Sequence, residues 1–131
     1  MGEFANYWEN KVLNHIFGKG SYSPPTIYLA LSTAAPADDG SGLAEPSGNS
    51  YSRMQTSIGD WNQASGGSVI NGEDITFPQA SGSWGTITHF ALFDSASGGN
   101  LLAYGALSTP ININESDAVR FVAGDIEVAL N

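Results

Sequence analysis

Few residues in this 131-residue chain have the types and spacing that catalysis needs. A serine hydrolase combines a nucleophile, a histidine base and an acid that orients the base. His89 with Asp94 and one of several serines could supply such a set, but no Gly-x-Ser-x-Gly motif presents a nucleophile. His89 alternates with Ile87 and Ala91 along an apolar face. We therefore expect His89 to be a hydrogen-bonded structural residue.

The acidic pairs are the candidates for a metal site. Asp38-Asp39 and Glu73-Asp74 offer the carboxylate oxygens that calcium prefers, but neither has the Asp-x-Asp-x-Asp-Gly register of a calcium loop. His15 with Glu9 or Lys11 does not have the spacing of zinc ligands. We expect solvated acidic turns here, with no metal and no cofactor.

Two further chemistries need residues that the sequence does not single out. Glycosidases use a pair of carboxylates, and nothing in the sequence selects one pair over another. Gly-Ser-Gly at 40–42 and Gly-Gly at 98–99 lack the helix and lysine that follow a phosphate-binding loop. We therefore predict that the protein is not an enzyme and has no catalytic residues.

Two tryptophans raise the hypothesis of a binding module. Trp61 and Trp84 are flanked by polar residues and glycines, so exposed indoles at these positions would stack on sugars. The alternative is that both pack at the rim of a β-sandwich. A carbohydrate-binding β-sandwich module therefore stands as one of three functional hypotheses.

Composition and charge exclude several partners. Four basic residues against 13 acidic ones give a net charge of −9, which disfavours nucleic acid and anionic membranes. The absence of cysteine excludes disulfides and thiolate metal sites. No apolar run approaches the ~18 residues of a membrane span. The length fits a single domain over residues 1–131.

The first residues carry no basic region followed by an apolar signal core, so we expect no export. Residues 1–4, Met-Gly-Glu-Phe, resemble a cloning scar ahead of a natural start.

An amphipathic helix is predicted over residues 6–17. Its apolar stripe consists of Trp8, Val12 and Ile16, with Leu13 and Phe17 alongside. Asn6 and Glu9 have the spacing of a capping box, and glycine follows the last turn. Three turns of helix are marginal alone, so this helix needs a surface to lie on. That surface is either its own sandwich or a neighbouring subunit.

Alternating apolar residues predict about eight short strands, and hence an antiparallel β-sandwich with one N-terminal helix. The stretches 85–94 and 100–107 are predicted to form a hairpin at the centre of the sheet. A second hairpin is predicted where Asn-Gly-Glu joins 68–71 to 74–77. The other predicted strands are 26–32, 51–58, 110–114 and the last strands between 119 and 130.

Residues 34–50 are predicted to form a long exposed loop, because they contain many turn formers and almost no large apolar residue. Loops of this length are often functional. The candidate contacts to other subunits are therefore drawn from the helix and from this loop with the residues after it: Trp8, Val12, Ile16, Asp38, Asp39, Leu43, Tyr51 and Arg53.

Several strings along nearly the whole chain carry a resemblance to a known family. The most specific is Trp-Gly-Thr-Ile-Thr-His-Phe-Ala-Leu-Phe-Asp at 84–94. Others are Asn-Tyr-Trp-Glu-Asn-Lys-Val-Leu-Asn-His-Ile-Phe-Gly at 6–18, Ile-Tyr-Leu-Ala-Leu-Ser-Thr-Ala-Ala-Pro at 27–36, Ile-Thr-Phe-Pro at 75–78 and Gly-Gly-Asn-Leu-Leu-Ala-Tyr-Gly-Ala-Leu at 98–107. The chain resembles a widespread family of small phage virion structural proteins, often labelled minor tail or tail-fibre proteins and related to capsid decoration proteins.

The resemblance implies a protein that is made in the host cytoplasm and built into the virion. Its implied partners are the major capsid protein or other virion subunits, and a homo-oligomer is expected. Repeats and heptads are absent from the sequence, which argues against a fibre shaft. We therefore expect a capsid decoration or cement protein on the shell, with a small minor tail or tail-fibre-associated protein as the alternative.

Overall fold

The structure, a computed structural model, describes residues 2–130. It contains one α-helix, α1 (Asn6–Ile16), and a 3-10 helix at Ile58–Asp60. The strands of the described part are β1 (Gly2–Phe4), β2 (Tyr28–Ser32), β3 (Met54–Gln55), β4 (Ser68–Ile70), β5 (Ile75–Thr76), β6 (Gly85–Phe93), β7 (Leu101–Ile113), β8 (Arg120–Phe121) and β9 (Glu127–Ala129).

Seven strands form one curled sheet in the order β3-β2-β6-β7-β1-β9-β4, and β5 pairs with β8 in a small second sheet. The neighbours are antiparallel except β1 and β9, which run parallel. The predicted fold class is confirmed: the protein is mainly β and sandwich-like, with one N-terminal helix. Residues 2–130 contain no helix that is both long and apolar enough to cross a membrane.

The predicted central hairpin is confirmed as β6 and β7. The strand expected at 110–114 is not separate, because β7 continues through it to Ile113. The register shifts between the pairs Ile87↔Ile111 and His89↔Ala106. Pro110 falls inside this irregular stretch, where no regular ladder bond needs the N–H that proline lacks.

Residues 2–4, interpreted from the sequence as part of a cloning scar, form β1 in the interior of the large sheet. This strand pairs with β7 on one side and with β9 on the other. Gly2 is buried, and a Cβ added to it would lie 2.7 Å from Phe90 Cζ and 2.8 Å from the Tyr104 carbonyl oxygen. These residues are therefore part of the fold. Met1 lies outside the described residues.

The hairpin predicted between 68–71 and 74–77 is wrong. β4 pairs with β9 in the large sheet, whereas β5 pairs with β8 in the small one. The cause is Asn71, which is fully buried and holds the chain between the two sheets. Its Nδ2 donates to the carbonyls of Glu73 and Val122 at 3.0 Å, and its Oδ1 accepts from the Ile126 N–H at 2.9 Å.

The large sheet buries apolar side chains on both faces. One face forms the main core with the small sheet and contains Leu29, Leu31, Phe90, Phe77, Trp84 and Phe121. The other face carries a smaller cluster of Ala30, Ala91, Phe93 and Leu101, against which Leu43 of the 34–50 loop packs. The strand predicted at 26–32 is confirmed as β2 (Tyr28–Ser32), whose side chains are buried on both faces of the sheet.

Helix α1 confirms the predicted amphipathic segment but not its capping box. Its N-cap is Ala5, and no side chain caps the helix. Asn6 is already inside the first turn, and its backbone N–H donates to the carbonyl of Asp38 at 3.0 Å. Within Asn6–Ile16 no residue is fully buried. The helix therefore lies on the surface of the domain and does not fill its core.

Candidate interaction surface

A large apolar groove lies beside helix α1 and has a volume of about 870 Å³. Its sides come from α1 with the segment 22–27 and from the stretch between β3 and β4. Its most buried apolar lining residues are Leu92 of β6 and Val128 of β9. None of the described residues that line it carries a charge. In a chain with 13 acidic residues this composition marks the groove as a distinct surface.

Two tryptophans line the groove, and both indole N–H groups are satisfied within the chain. Trp8 Nε1 donates to the Tyr22 hydroxyl at 3.0 Å, and Trp61 Nε1 donates to Thr56 Oγ1 at 3.0 Å. The Trp8 ring also lies 4.8 Å from the Phe4 ring, centroid to centroid. The two indoles therefore present apolar surface to the groove and few free hydrogen-bonding groups.

The segment that follows the helix is held in place by two hydrogen bonds of Tyr22. Its hydroxyl accepts from Trp8, and its backbone N–H donates to His15 Nδ1 at 3.3 Å. Burial raises the pKa of the Tyr22 hydroxyl above its usual value, although the bond from Trp8 acts in the opposite direction. The hydroxyl therefore stays neutral, and this wall of the groove remains uncharged.

Large apolar side chains are exposed around the groove. Ile58 on the 3-10 helix is 91% exposed and lines the groove, as does the exposed Leu130. At the end of α1, Ile16 is 68% and Phe17 is 70% exposed, and Leu13 beside them is exposed as well. We call the groove together with Leu13, Ile16 and Phe17 the groove face. An apolar groove flanked by exposed large apolar side chains is uncommon on a monomer and marks an interaction site.

The contact residues predicted on the helix belong to this face. Trp8 and Val12 line the groove, and Ile16 lies one turn further along the same stripe. The other predicted contact residues lie in the 34–50 loop or after it, and two of them are used inside the chain.

Arg53 and Tyr51 make internal contacts. The Arg53 side chain is 6% exposed and forms an ion pair with Glu45, whose side chain is 21% exposed. The Tyr51 hydroxyl donates to Glu45 Oε2 at 2.7 Å and accepts from the Leu31 backbone N–H at 3.0 Å. Burial, above all, raises the pKa of this hydroxyl far above its usual value. These contacts correct the expectation that Arg53 and Tyr51 are free to bind a neighbour.

Asp38 and Asp39 are exposed, as expected for the 34–50 loop. The Tyr104 hydroxyl lies between the carboxylates of Glu3 and Asp38. Hydrogen bonds from the Ser41 hydroxyl and backbone N–H lower the pKa of Asp39. Leu43 is half-buried on the outer face of the sheet. The loop is thus folded back on the domain while its acidic turn stays open to solvent.

Trp84 is only 4% exposed, and its Nε1 donates to the Asn49 carbonyl at 2.8 Å. The prediction of a surface aromatic is therefore wrong for Trp84, because the indole fills the space between the two sheets beside Phe77 and Phe121. Trp61 is half-buried in the groove wall. The pair does not form an exposed platform for sugars.

The residues considered for catalysis or metal binding are dispersed. His89 Nδ1 shares a hydrogen bond with the neighbouring Thr88 hydroxyl at 2.8 Å, while the Asp94 carboxylate accepts from Asn100 at the hairpin turn. Asp74 lies 3.9 Å from Arg120 in an exposed pair. Over residues 2–130, no three His, Asp or Glu side chains are grouped so that they could hold a metal ion.

Sequence reasoning did not identify Asn71, Glu45, Ile58 or Leu130. Asn71 and Glu45 act through partners that are distant in sequence, and no local pattern marks them. Ile58 stands alone in polar surroundings, and its only signal is that of an isolated large apolar residue. Leu130 continues the alternation of Ile126 and Val128, so the pattern does not distinguish it from a core residue.

Comparison with models of protein families gives a match over residues 3–129 to the family described as Podophage GP4 fiber I protein gp80. The search of curated proteins finds no match.

Proposed function

The chain belongs to the Podophage GP4 fiber I protein gp80 family of phage virion structural proteins, and from this premise we propose that it is a globular subunit of a tail fibre. In this proposal the groove face binds the neighbouring subunit in the particle. The family description refers to a fibre and so favours the tail over the capsid position that the compact shape alone suggested.

The observation that carries the proposal is the uncharged groove on a protein of net charge −9. The centre of a protein interface is typically depleted of charged residues and enriched in aromatic ones. The groove has this composition, with Trp8 and Trp61 in its walls and Ile58 at its rim. The acidic loops lie outside the groove, where they remain hydrated.

The fold of the domain is more typical of a compact module than of a fibre shaft. A shaft is built from repeats or from a coiled coil. The described part of this chain forms one curled seven-stranded sheet, a small two-stranded sheet and an 11-residue α-helix. We therefore place the protein at a joint or an end of the fibre, where a compact body binds a longer component.

The location is tested by labelling intact virions with gold-conjugated antibodies raised against the purified chain. Label on the tail fibres is the expected result. Label confined to the head would overturn the proposal in favour of capsid decoration. Mass spectrometry of disassembled virions checks that they contain the protein. If intact virions stay unlabelled and opened virions are labelled, the protein lies inside the particle, and this result also overturns the proposal.

The role of the groove face is tested in the same particles with Ile58→Glu. This side chain is 91% exposed, so a carboxylate there should leave the fold intact and act only on binding. Its matched control is Val122→Glu, at an exposed apolar residue that does not line the groove. We expect incorporation into virions to fall roughly tenfold for the first variant and to stay unchanged for the second. Equal incorporation of the two variants would remove the groove face from the proposal.

A further inference from the structure

We infer that the groove face is a homodimer interface, in which the end of helix α1 of each copy lies in the groove of the other. The inference rests on the use of the groove face in the proposed function and goes further by naming its occupant, a second copy of this chain.

The position of the helix end relative to the groove favours a second copy as the occupant. Trp8 and Val12 line the groove, and Ile16 continues the same stripe one turn beyond. The exposed helix end and the groove are therefore adjacent parts of one surface. A two-fold axis through such a surface brings each helix end to the other copy's groove, so that both apolar parts are covered at once.

Charge also permits a second copy as the occupant. Two copies of a chain with net charge −9 repel each other unless their carboxylates stay apart. Among residues 2–130, those that line the groove carry no charge, so contact there need not bring acids together. Asp60, the acid closest in sequence to Ile58, has its carboxylate bonded to the Ser57 N–H at 2.8 Å. A basic partner would find no counter-charge in the groove, whereas an apolar helix end fits its composition.

The size of the groove face also suits a dimer. Twenty of the described residues line the groove, and the exposed helix end adds Leu13, Ile16 and Phe17. A stable protein interface of standard size uses about 20–30 residues from each partner. The groove face therefore has the extent that a dimer needs, and its exposed residues include the large apolar Leu13, Ile16, Phe17, Ile58 and Leu130.

The dimer is tested on the purified chain by sedimentation velocity and by light scattering during size-exclusion chromatography. The expected mass is twice the 13.7 kDa of one chain. Ile16→Asp and Ile58→Glu should each shift the protein to the monomer, while the control Val122→Glu should remain dimeric. Circular dichroism melting checks that every variant is folded. A wild-type monomer at concentrations on the order of 100 μM would overturn the inference.

The arrangement within the dimer is tested by cross-linking, because the chain contains no cysteine. Ile16→Cys and Ile58→Cys chains with different tags are mixed, allowed to exchange and treated with a short bis-maleimide. The expected product carries both tags, and a Val122→Cys chain should give none with Ile16→Cys. Coupling of Ile16→Cys chains only to one another would overturn the helix-in-groove arrangement. If the protein is a monomer in these experiments, the proposed tail location still stands, because it is tested separately on virions.

Discussion

Arg53 and Glu45 form a two-point ion pair, with Arg53 Nη2 2.7 Å from Glu45 Oε1 and Arg53 Nε 3.0 Å from Oε2. The same guanidinium donates through Nη1 to the carbonyls of Ser95 and Gly98, each at 2.8 Å, and lies 3.8 Å from the centre of the Phe93 ring. This one side chain therefore joins the 34–50 loop to the turn between β6 and β7. Four of the five N–H donors of the guanidinium are used in these bonds.

Glu45→Gln should destabilise the fold by on the order of 2 kcal/mol, because it leaves a buried guanidinium without its counter-ion. The value is below that for a fully buried pair, since Glu45 keeps some exposure and glutamine still accepts a hydrogen bond. Urea unfolding measures the change. The matched control is Asp74→Asn in the exposed pair with Arg120, where a loss under about 0.5 kcal/mol is expected. Equal effects of the two substitutions would contradict the internal role of Glu45.

The pH dependence of stability should follow the same carboxylate. Burial raises the pKa of Glu45, but the hydrogen bonds from Arg53 and Tyr51 and the guanidinium charge outweigh burial and hold the pKa below the ordinary 4.5. A depressed folded-state pKa stabilises the fold above the ordinary value, and this contribution is lost as the pH falls through the folded-state pKa. The difference in unfolding free energy between wild type and Glu45→Gln should therefore be constant above about pH 6 and shrink below about pH 4.5. Urea titrations across this pH range measure the difference in unfolding free energy. A difference that grows on acidification would contradict a depressed pKa of Glu45.

Asn71→Asp should be strongly destabilising despite its nearly identical shape. The amide Nδ2 donates to the carbonyls of Glu73, Phe121 and Val122, and a carboxylate there would place an acceptor against three acceptors. We expect a loss of about 3 kcal/mol or more, measured by urea unfolding. Asn10→Asp, an exposed position on α1, adds the same charge and serves as the control. A small, similar change in both variants would argue against the buried hydrogen bonds of Asn71.

Gly2→Ala should cost about 1–3 kcal/mol, because the new methyl group meets the Phe90 ring and the Tyr104 carbonyl. Gly59→Ala is the control, since nothing lies within 4 Å of a Cβ at that position. Thermal melting followed by circular dichroism compares the two variants. If Gly2→Ala has the same melting temperature as the wild type, β1 is not held in the sheet as described.

Local periodicity was enough to predict the helix, β2 and the hairpin of β6 and β7. In these segments the apolar pattern itself defines the buried face, and the partner strand is close in sequence. The helical stripe of Trp8, Val12 and Ile16 also led to one wall of the groove. The sequence could not assign that stripe to the domain or to a neighbour, because both uses require the same pattern.

The parts of the fold that the sequence did not predict depend on pairings between residues that are distant in the chain. β1 is three residues long and has no recognisable period, yet it lies between two strands that are more than 90 residues away. The false hairpin followed from an Asn-Gly sequence that favours tight turns. Here the asparagine is buried and bonds to segment 121–126, which no local signal indicates. Arg53 resembled a free surface cation because its partners lie 8 to 45 positions away.

The placement of β1 also sets the order in which a nascent chain can fold. β1 leaves the ribosome before its two neighbours, β7 and β9, which begin at Leu101 and Glu127. Until residues 127–129 emerge, β1 has no complete site to occupy, and the sheet stays open between β7 and β9. The domain should therefore close only after β9 has emerged, at the slow rate of a fold rich in long-range pairings.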